Sequence, residues 1–255
     1  MNILASYNIK GGVGKTAATV NLAFLCAAEN YRTLIWDLDP QGAASYYFRI
    51  KPRVKSGAKG LLQRKHELST AIKATDFDNL DLIPADFSYR NMDLYLEDMK
   101  NSTRRLRKIL KQLTDEYVCI FLDCPPSISL VSENIFTAAD ALLIPTIPTT
   151  LSLRTLEQLQ HFLEKQENNP LLLPFFSMVD RRKNLHRIIT ERPPKTLPPF
   201  LGCQIPYASD IEQMGIRRAP LSSYAAHSRS NQAYIALWSE IKTHLGLPSS
   251  GKIPS

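Results

Sequence analysis

The sequence contains, at residues 10–16, the stretch Lys10-Gly11-Gly12-Val13-Gly14-Lys15-Thr16. An apolar run at residues 3–7 precedes it and predicts a buried strand, and the run that begins at Ala17 predicts a helix. Glycines let the backbone turn tightly and direct successive N–H groups at phosphate oxygens, and the start of the following helix adds the positive end of its dipole. The order strand, glycine loop, helix therefore predicts a phosphate-binding loop, in which Lys15 reaches the β- and γ-phosphates and Thr16 ligates Mg²⁺.

On both sides of this loop, the pattern of the chain is typical of an α/β fold, because short apolar runs alternate with longer amphipathic ones. We predict strands at residues 3–7, 33–37, 80–84, 118–123, 141–145, 171–178 and 202–205, and helices at 16–29, 102–114, 128–138, 152–166, 183–191 and 228–245. Several strands are apolar throughout, which indicates a mostly parallel, twisted sheet with helices on both faces. Ser152 and Ser228 are the expected N-caps of their helices. We assign residues 1–247 to one domain and residues 248–255 to a disordered tail.

Composition and charge restrict the classes of protein that fit. The first residues lack the segments of a signal peptide and no apolar run approaches 18 residues, so we expect a cytoplasmic protein. The four cysteines have no C-x-x-C spacing and are expected to be reduced core thiols. The net charge is +7, and residues 51–65, 100–111 and 181–195 are rich in Lys and Arg. Each cluster is either a solvated face or part of a surface for a polyanion.

Two further stretches place carboxylates at the ends of predicted strands. Asp37-Leu38-Asp39-Pro40-Gln41-Gly42 follows the second strand, and Asp123 ends the apolar run at residues 118–123. In open α/β sheets ligands bind at the carboxyl ends of the strands. A single strand-end Asp is common in purely structural roles, but the order of the three motifs favours one shared phosphate and magnesium site.

These motifs resemble those of the ParA/MinD-type P-loop ATPases. The ordinary P-loop pattern requires a glycine where this chain has Ile9, whereas the deviant Walker A motif of that family begins with a lysine, as at Lys10. Residues 37–42 resemble the family's switch I, and residues 117–126 resemble its Walker B strand and switch II. The continuation Pro40-Gln41 is typical of ParA-like partition proteins and not of MinD. The resemblance covers most of residues 1–245.

The resemblance implies a role for each motif residue. Lys10, Lys15 and Asp39 become the catalytic residues: Lys10 crosses a dimer interface to the ATP of the partner subunit, and Asp39 orients the attacking water. Thr16, Asp37 and Asp123 are implied to hold Mg²⁺ or its water shell. The ATP site would comprise Gly11, Gly12, Val13, Gly14, Lys15, Thr16, Ala17, Met178, Asp180 and Pro206. The last three are implied to lie near the adenine, although packing or capping would also account for them.

Two positions depart from the family pattern. Ala17 stands where relatives usually have a hydroxyl that contacts the α-phosphate, so one hydrogen bond worth about 1 kcal/mol is absent. Ile147 and Thr149 stand where relatives that partition replicons usually have Gln and Glu. The cargo is therefore left open among a plasmid, a chromosome region and a protein assembly such as a carboxysome or a chemoreceptor cluster.

The mechanism implied by the resemblance is a switch. ATP and Mg²⁺ close a homodimer, which binds double-stranded nucleoid DNA without sequence preference, and a ParB-like or other adaptor stimulates slow hydrolysis and releases it. A prokaryotic cytoplasm with nucleoid association follows as the expected location, and no membrane contact is expected. The expected DNA contacts are Arg181, Arg182, Lys183, Arg187, Arg217, Arg218 and Arg229.

Three other classes of protein share parts of this pattern. A MinD-like regulator of division-site placement needs an amphipathic C-terminal helix for the membrane, but residues 230–247 predict an ordinary packed helix. An iron–sulfur reductase or carrier needs paired cysteines across a dimer, and only Cys124 is expected near an interface. A ligase of the dethiobiotin-synthetase kind has no use for Lys10.

Overall fold

The computed structural model describes residues 1–63, 65–166 and 168–248, with backbone alone for residues 65–67. Its strands are β1 (Asn2–Ser6), β2 (Thr33–Asp37), β3 (Lys73–Ala74), β4 (Leu80–Ile83), β5 (Cys119–Asp123), β6 (Ala141–Thr146), β7 (Leu171–Val179) and β8 (Gln204–Pro206). Its helices are α1 (Lys15–Ala28), α2 (Ala43–Tyr47), α3 (Gly57–Gln63), α4 (Lys65–Ala71), α5 (Met92–Glu97), α6 (Arg105–Leu110), α7 (Leu130–Ala138), α8 (Thr150–Leu163), α9 (Asn184–Glu191), α10 (Ser209–Glu212), α11 (Met214–Arg217) and α12 (Arg229–Leu245). Four short 3-10 turns complete these elements, at Phe87–Asn91, Ser102–Arg104, Lys111–Leu113 and Leu221–Ser223.

The strands form one sheet in the order β3-β4-β2-β5-β1-β6-β7-β8, parallel except for β3. The register sets Asp37 on β2 opposite Asp123 on β5, and Asp123 opposite Ser6 on β1. Because all three strands are parallel, their carboxyl ends meet at one edge of the sheet. The loop that follows β1 and the two strand-end carboxylates therefore lie together, as the sequence predicts.

Two apolar cores cover the two faces of the sheet. On one face, residues such as Trp36 and Leu122 pack with helices α3, α5, α6, α7 and α8. On the other face, Ile35 and Phe121 pack with α1 and with Trp238 of α12. Successive side chains of a strand point to opposite faces, so strands buried on both sides must be apolar throughout. The predicted fold class, a mostly parallel α/β sheet with helices on both faces, is confirmed.

Several local predictions are corrected by the structure. Between residues 43 and 97 the chain forms α2 to α5 and the antiparallel strand β3, where we predicted only the strand at 80–84. The predicted helix at 102–114 is α6 flanked by two 3-10 turns, and the eighth strand begins at Gln204 instead of residue 202. Residues 249–255, most of the predicted tail, lie outside the described residues. Among the described helices, none combines the length and hydropathy needed to cross a bilayer.

The two predicted N-caps have different outcomes. Ser228 caps α12, since its side chain accepts a hydrogen bond from the Asn231 amide. Ser152 does not cap α8; it is wrong as a cap because the helix begins two residues earlier, at Thr150. Thr149 has an extended backbone and its side chain accepts a hydrogen bond from the Ser152 amide, which makes Thr149 the cap.

Candidate nucleotide and magnesium site

The loop between β1 and α1 has the backbone that phosphate binding requires. Gly12 and Gly14 have φ values of +70° and +93°, in a region that other residues rarely adopt. A Cβ at Gly11 or Gly12 would meet nothing within 4 Å, whereas one at Gly14 would lie 2.9 Å from the Ser177 hydroxyl of β7. The loop is therefore open at Gly11 and Gly12 and packs tightly against β7 at Gly14. Val13 is fully buried and anchors the loop from inside.

The two lysines of the loop occupy different environments. Lys15 begins α1 and is 7% exposed, and its ammonium lies 3.3 Å from the Lys10 carbonyl oxygen. Burial lowers the pKa of Lys15, and the nearby Asp123, Cys124 and Asp39 side chains oppose that shift. The Lys10 side chain is exposed. One lysine is therefore directed across the loop, and the other is free to contact a second molecule.

Asn8 positions the start of the loop, which the sequence analysis did not identify. Its side-chain oxygen accepts a hydrogen bond from the Lys10 amide at 2.9 Å, and its side-chain nitrogen donates to the Pro145 carbonyl oxygen at 2.9 Å. Asn8 is 3% exposed. The side chain thereby joins the lysine at the head of the loop to the end of β6. Only its place two residues before Lys10 could have drawn attention to it.

Two carboxylates are buried completely beside the loop. Asp37 Oδ2 accepts hydrogen bonds from the amide and the hydroxyl of Ser45, both at 2.7 Å. Asp123 Oδ1 lies 3.3 Å from the hydroxyl of Thr19. The other oxygen of each carboxylate, Asp37 Oδ1 and Asp123 Oδ2, is buried and has no hydrogen-bond partner among the described residues. Neither Ser45 nor Thr19 was singled out from the sequence.

The same burial disturbs the ionisation of both carboxyls. Burial raises the pKa of Asp37 to about 6, against the hydrogen bonds from Ser45. Burial also raises the pKa of Asp123 well above its ordinary value; the negative charge of Asp37 adds to the increase, and the nearby Thr16 hydroxyl opposes it. A carboxylate that is buried without compensation carries a large desolvation cost. A cation at this point would remove that cost.

These groups fit Mg²⁺ bound together with a nucleotide. Magnesium keeps several waters and is usually held by one or two carboxylates and the phosphates of its ligand, so no full protein cage is needed. Consistent with this, the described residues contain no cluster of three or more His, Cys, Asp or Glu side chains that could hold a metal alone. Thr16, Asp37 and Asp123 lie near one another, at the start of α1 and the ends of β2 and β5, and their role in holding magnesium stays a prediction.

Asp39 lies one step beyond this pair. Its Oδ1 accepts a hydrogen bond from the Gln41 amide at 2.9 Å, and its carbonyl oxygen accepts one from Gly42 at 2.9 Å. Gly42, with φ +67°, begins α2, which carries Ser45 back to Asp37. Asp39 thus shapes the turn of the predicted switch I, and its part in orienting water stays a prediction.

Two of the three residues predicted to lie near the adenine line the same cavity. Asp180 and Pro206 line a cavity of about 340 Å³ at the ends of β7 and β8. Asp180 is bound by the Arg182 guanidinium through two contacts of 2.9 Å, and the pKa of its carboxyl is lowered to about 2 by those bonds. Met178 has a φ of +54° at an irregular pairing with β8 and does not line the cavity.

The predicted DNA contacts fall into two groups. Arg181, Arg182 and Arg229 line the cavity of Asp180 and Pro206, and Lys183 and Arg187 lie at the first turn of the adjoining helix α9. Arg217 and Arg218 lie at the end of α11. The Arg218 guanidinium donates to the Tyr46 carbonyl oxygen at 3.1 Å and lies 4.5 Å from the centre of the Tyr46 ring.

The cysteines are as expected for core thiols. Cys26, Cys119 and Cys124 are buried, Cys203 is half-buried, and all four are free. Cys124 is 1% exposed, and burial raises its pKa well above the ordinary value. It therefore does not present a thiolate at the surface for a shared cluster.

The fold and the site define a P-loop nucleotide-binding protein of the α/β class. A family model described as an AAA domain matches residues 1–172. The chain is 31% identical over 246 residues to the sporulation initiation inhibitor protein Soj of Bacillus subtilis, covering 94% of this chain and 97% of that protein. It is 32% identical over 247 residues to the chromosome partitioning protein ParA of Myxococcus xanthus, covering 94% and 87%. The chain belongs to the ParA family of P-loop ATPases.

A solved structure shows the same fold. A variant of McdA from Cyanothece, in complex with ATP, matches with a TM-score of 0.80 at 20% identity, covering 99% of both chains. At this identity the likeness concerns the fold alone.

Proposed function

We propose that this protein binds ATP with Mg²⁺, forms a homodimer around two nucleotides, and in that state binds double-stranded DNA without sequence preference. One observation carries the nucleotide and magnesium part of the proposal: Asp37 Oδ1 and Asp123 Oδ2 are buried, have no hydrogen-bond partner among the described residues, and lie beside a glycine loop whose backbone leaves open space. Such a pair of oxygens is costly unless a cation with bound phosphates completes it. Bound Mg²⁺ would supply charge neutralisation at the β- and γ-phosphates.

The residues of this chain have distinct tasks in the proposed reaction. Amides of the glycine loop and the Lys15 ammonium bind and orient the phosphates, and Thr16 with Asp37 and Asp123 holds the cation and its waters. Asp39 orients the attacking water. Phosphoryl transfer depends mainly on positioning and on electrostatic stabilisation of the transition state. Because these residues supply only part of that stabilisation, hydrolysis is slow until a partner protein supplies the rest.

Dimer formation is proposed to depend on Lys10. Its backbone amide is bound by Asn8, while its side chain is exposed and forms no hydrogen bond or ion pair among the described residues. An exposed lysine at the head of the loop is placed to reach the phosphates bound by a second subunit. Two subunits also double the number of cations that face DNA, and each neutralised phosphate adds about 0.9 to the salt dependence of binding.

The proposed DNA surface combines the two arginine groups described above, with Lys183 and Arg187 beside them. Its cations do not all point freely into solvent: Arg182 is paired with Asp180, and Arg218 contacts Tyr46 of α2. Because α2 also carries Ser45, the partner of Asp37, part of this surface is connected by direct contacts to the Asp37 carboxylate.

The proposed partner is a ParB-like or other adaptor that stimulates hydrolysis and so releases DNA near a cargo. One relative is named a chromosome partitioning protein and the other a sporulation initiation inhibitor. A plasmid, a chromosome region and a protein assembly such as a carboxysome remain the proposed cargo classes, and a nucleoid-associated cytoplasmic location follows from DNA binding.

The MinD-like alternative requires an apolar helix face for a membrane. In this chain α12 buries Tyr234, Leu237, Trp238 and Ile241 in the core of the domain. The apolar side of that helix is therefore buried against the rest of the domain. Because it is not available to a membrane, we prefer DNA as the binding partner of the dimer.

The proposal is tested by recording particle mass and binding to a nonspecific duplex without nucleotide and with ADP, ATP or a non-hydrolysable analogue, each at two salt concentrations. We expect a dimer and salt-sensitive DNA binding with ATP or the analogue alone. Lys10→Ala and Lys15→Gln should lose the dimer, Asp39→Ala should keep a DNA-bound dimer, and the exposed control Lys55→Ala should match the wild type. A dimer that forms with ATP but does not bind DNA would disprove the proposed DNA binding. Rapid ATP hydrolysis by the protein alone would disprove the proposed stimulation by an adaptor.

A further inference from the structure

A second basic surface lies on the face of the sheet opposite α12. It is a groove along α6, lined by Arg104, Arg107, Lys108, Lys111, Lys165 and Asn168, which we name the α6 groove. It consists of two adjoining cavities of about 450 and 430 Å³ that share Arg104 and Asn168. The groove is therefore elongated, which suits an extended polymer better than a single compact anion.

Four of the cations of the α6 groove have no carboxylate partner among the described residues. Arg107, Lys108, Lys111 and Lys165 are exposed, and none of them forms an ion pair with a carboxylate in the described part of the chain. Residues 100–114 contain no acid at all. Like charges three and four residues apart on a helix destabilise it, and Arg107 of α6 is followed at that spacing by Lys111, the first residue of the next 3-10 turn. A merely solvated helix face usually intersperses acids, so the pattern indicates a surface for a polyanion.

The groove is spatially separate from the part of the proposed DNA surface that contains Arg217, Arg218 and Arg229. Leu106, Ile109 and Leu110 of α6 pack into the core on one face of the sheet. Met214, Leu221 and Tyr234, which anchor the segment of Arg217, Arg218 and Arg229, pack into the core on the other face. A straight duplex on one face cannot also lie in a groove on the opposite face of the same subunit.

Its lining favours a nucleic-acid backbone over an acidic polypeptide. Besides the cations, the two cavities are lined by amide and hydroxyl side chains such as Asn101 and Thr103, which are common phosphate and sugar ligands. Phe136, a large apolar side chain in the lining, is 2% exposed. An acidic peptide would lack an apolar anchor of the kind that dominates protein interfaces.

We propose that the α6 groove binds the phosphate backbone of a second DNA duplex, so that one protein particle bridges two duplex segments. This inference rests on the proposed DNA binding, and it adds a site on the other face of each subunit. All the cations of the groove come from one subunit, so its contact with DNA does not require the nucleotide-dependent dimer.

The test uses a variant with three groove charges removed, Arg107→Gln/Lys108→Gln/Lys111→Gln. Its matched control, Lys51→Gln/Lys55→Gln/Lys59→Gln, removes the same charge from exposed lysines outside the groove. Beads that carry one duplex capture a free fluorescent duplex through the wild type and the control, and we expect the groove variant to lose that capture. Its salt dependence of binding should fall by about 2 to 3 in log–log slope, since each phosphate contact contributes about 0.9. The charge-preserving variant Lys108→Arg/Lys111→Arg should retain capture.

Other outcomes overturn the inference. Capture by the groove variant equal to that of the matched control, with both at the wild-type unfolding temperature, disproves it. Competition by poly-aspartate that matches competition by DNA of equal charge also disproves it, because the groove would then recognise acidic polypeptide. The Lys15→Gln variant separates the two proposals: weak DNA binding that it keeps and the groove variant lacks supports the groove even if ATP-dependent binding fails.

Discussion

The glycines of the phosphate loop allow a quantitative test of why this backbone needs them. Gly11→Ala, Gly12→Ala and Gly14→Ala form a graded series. A Cβ at Gly11 meets nothing within 4 Å and no positive φ is involved; Gly12 combines open space with φ +70°; Gly14 combines φ +93° with a contact of 2.9 Å to Ser177 Oγ. The three variants therefore isolate backbone conformation from steric contact.

The expected magnitudes follow from these geometries. A non-glycine residue in the left-handed region costs about 1–2 kcal/mol, and a domain of this size loses about 2–4 °C of Tm per kcal/mol. We expect Gly11→Ala to leave Tm unchanged or slightly raised and Gly12→Ala to lower it by about 2–8 °C. Gly14→Ala should lower it further, because Ser177 is 2% exposed and its hydroxyl has little room to move.

Thermal unfolding of each nucleotide-free variant gives its Tm, and titration with an ATP analogue gives its nucleotide affinity. Ser177→Ala removes the contacting oxygen, so it should restore part of the loss in a Gly14→Ala/Ser177→Ala double variant but none of the loss in Gly12→Ala. Equal losses at Gly11 and Gly14 would refute the reasoning, as would a double variant no more stable than Gly14→Ala.

Three further predictions follow from the buried carboxylates and the helix cap. The folded pKa of Asp37, about 6, exceeds its ordinary value of 3.8, so this carboxyl destabilises the fold fully at pH 7 and less as pH falls from 6 towards 4. The nucleotide-free protein should gain on the order of 3 kcal/mol from this group over that window, and urea unfolding of the wild type and Asp37→Asn measures it. Asp123→Asn should raise the Tm without ligand and abolish Mg²⁺-dependent nucleotide binding, whereas Asp115→Asn, an exposed control, should do neither. Ser228→Ala should lower the unfolding free energy by about 1 kcal/mol through loss of its cap, and Ser239→Ala should leave it unchanged.

Each of these expectations has a result that contradicts it. Wild type and Asp37→Asn with the same pH profile between 4 and 7 would show that the burial of this carboxyl is compensated. A lower Tm for ligand-free Asp123→Asn would show that the carboxylate stabilises the fold instead of straining it. Equal stability of the Ser228→Ala and Ser239→Ala variants would show that the Ser228 cap does not stabilise α12.

The position of the glycine loop and of the two strand-end carboxylates could be predicted from sequence because their signals are local. Seven consecutive residues carry the loop, and Asp37 and Asp123 each end an apolar run that parallel pairing brings to the same edge. Ser45 and Asn8 could not be found in this way. Their roles depend on where α2 and the end of β6 are placed by the fold, and nothing in their immediate sequence records that placement.

The elements that were missed are short and depend on tertiary contacts. Helices α2 to α5 have at most seven residues each, and helices of this length are not stable without packing. Strand β3 consists of Lys73 and Ala74, too few residues for any periodicity. At α8 the run Thr149 to Ser152 offers more than one capping side chain, and the extended backbone at Thr149 after β6 selects the first of them.

The site combines several unfavourable features that a single ligand would relieve together. Two buried carboxylates each have an unpartnered oxygen, and the buried Lys15 ammonium has a lowered pKa. Nucleotide with Mg²⁺ supplies both the missing cation and the missing anion. A free nucleotide concentration of 100 times Kd adds about 2.7 kcal/mol to the free energy of unfolding, because the ligand binds the folded state only. The Asp37 carboxylate is also joined through Ser45 to α2, and Tyr46 of α2 is joined to Arg218. A chain of direct contacts, through Ser45 and Tyr46 of α2, therefore joins the Asp37 carboxylate to Arg218 of the proposed DNA surface.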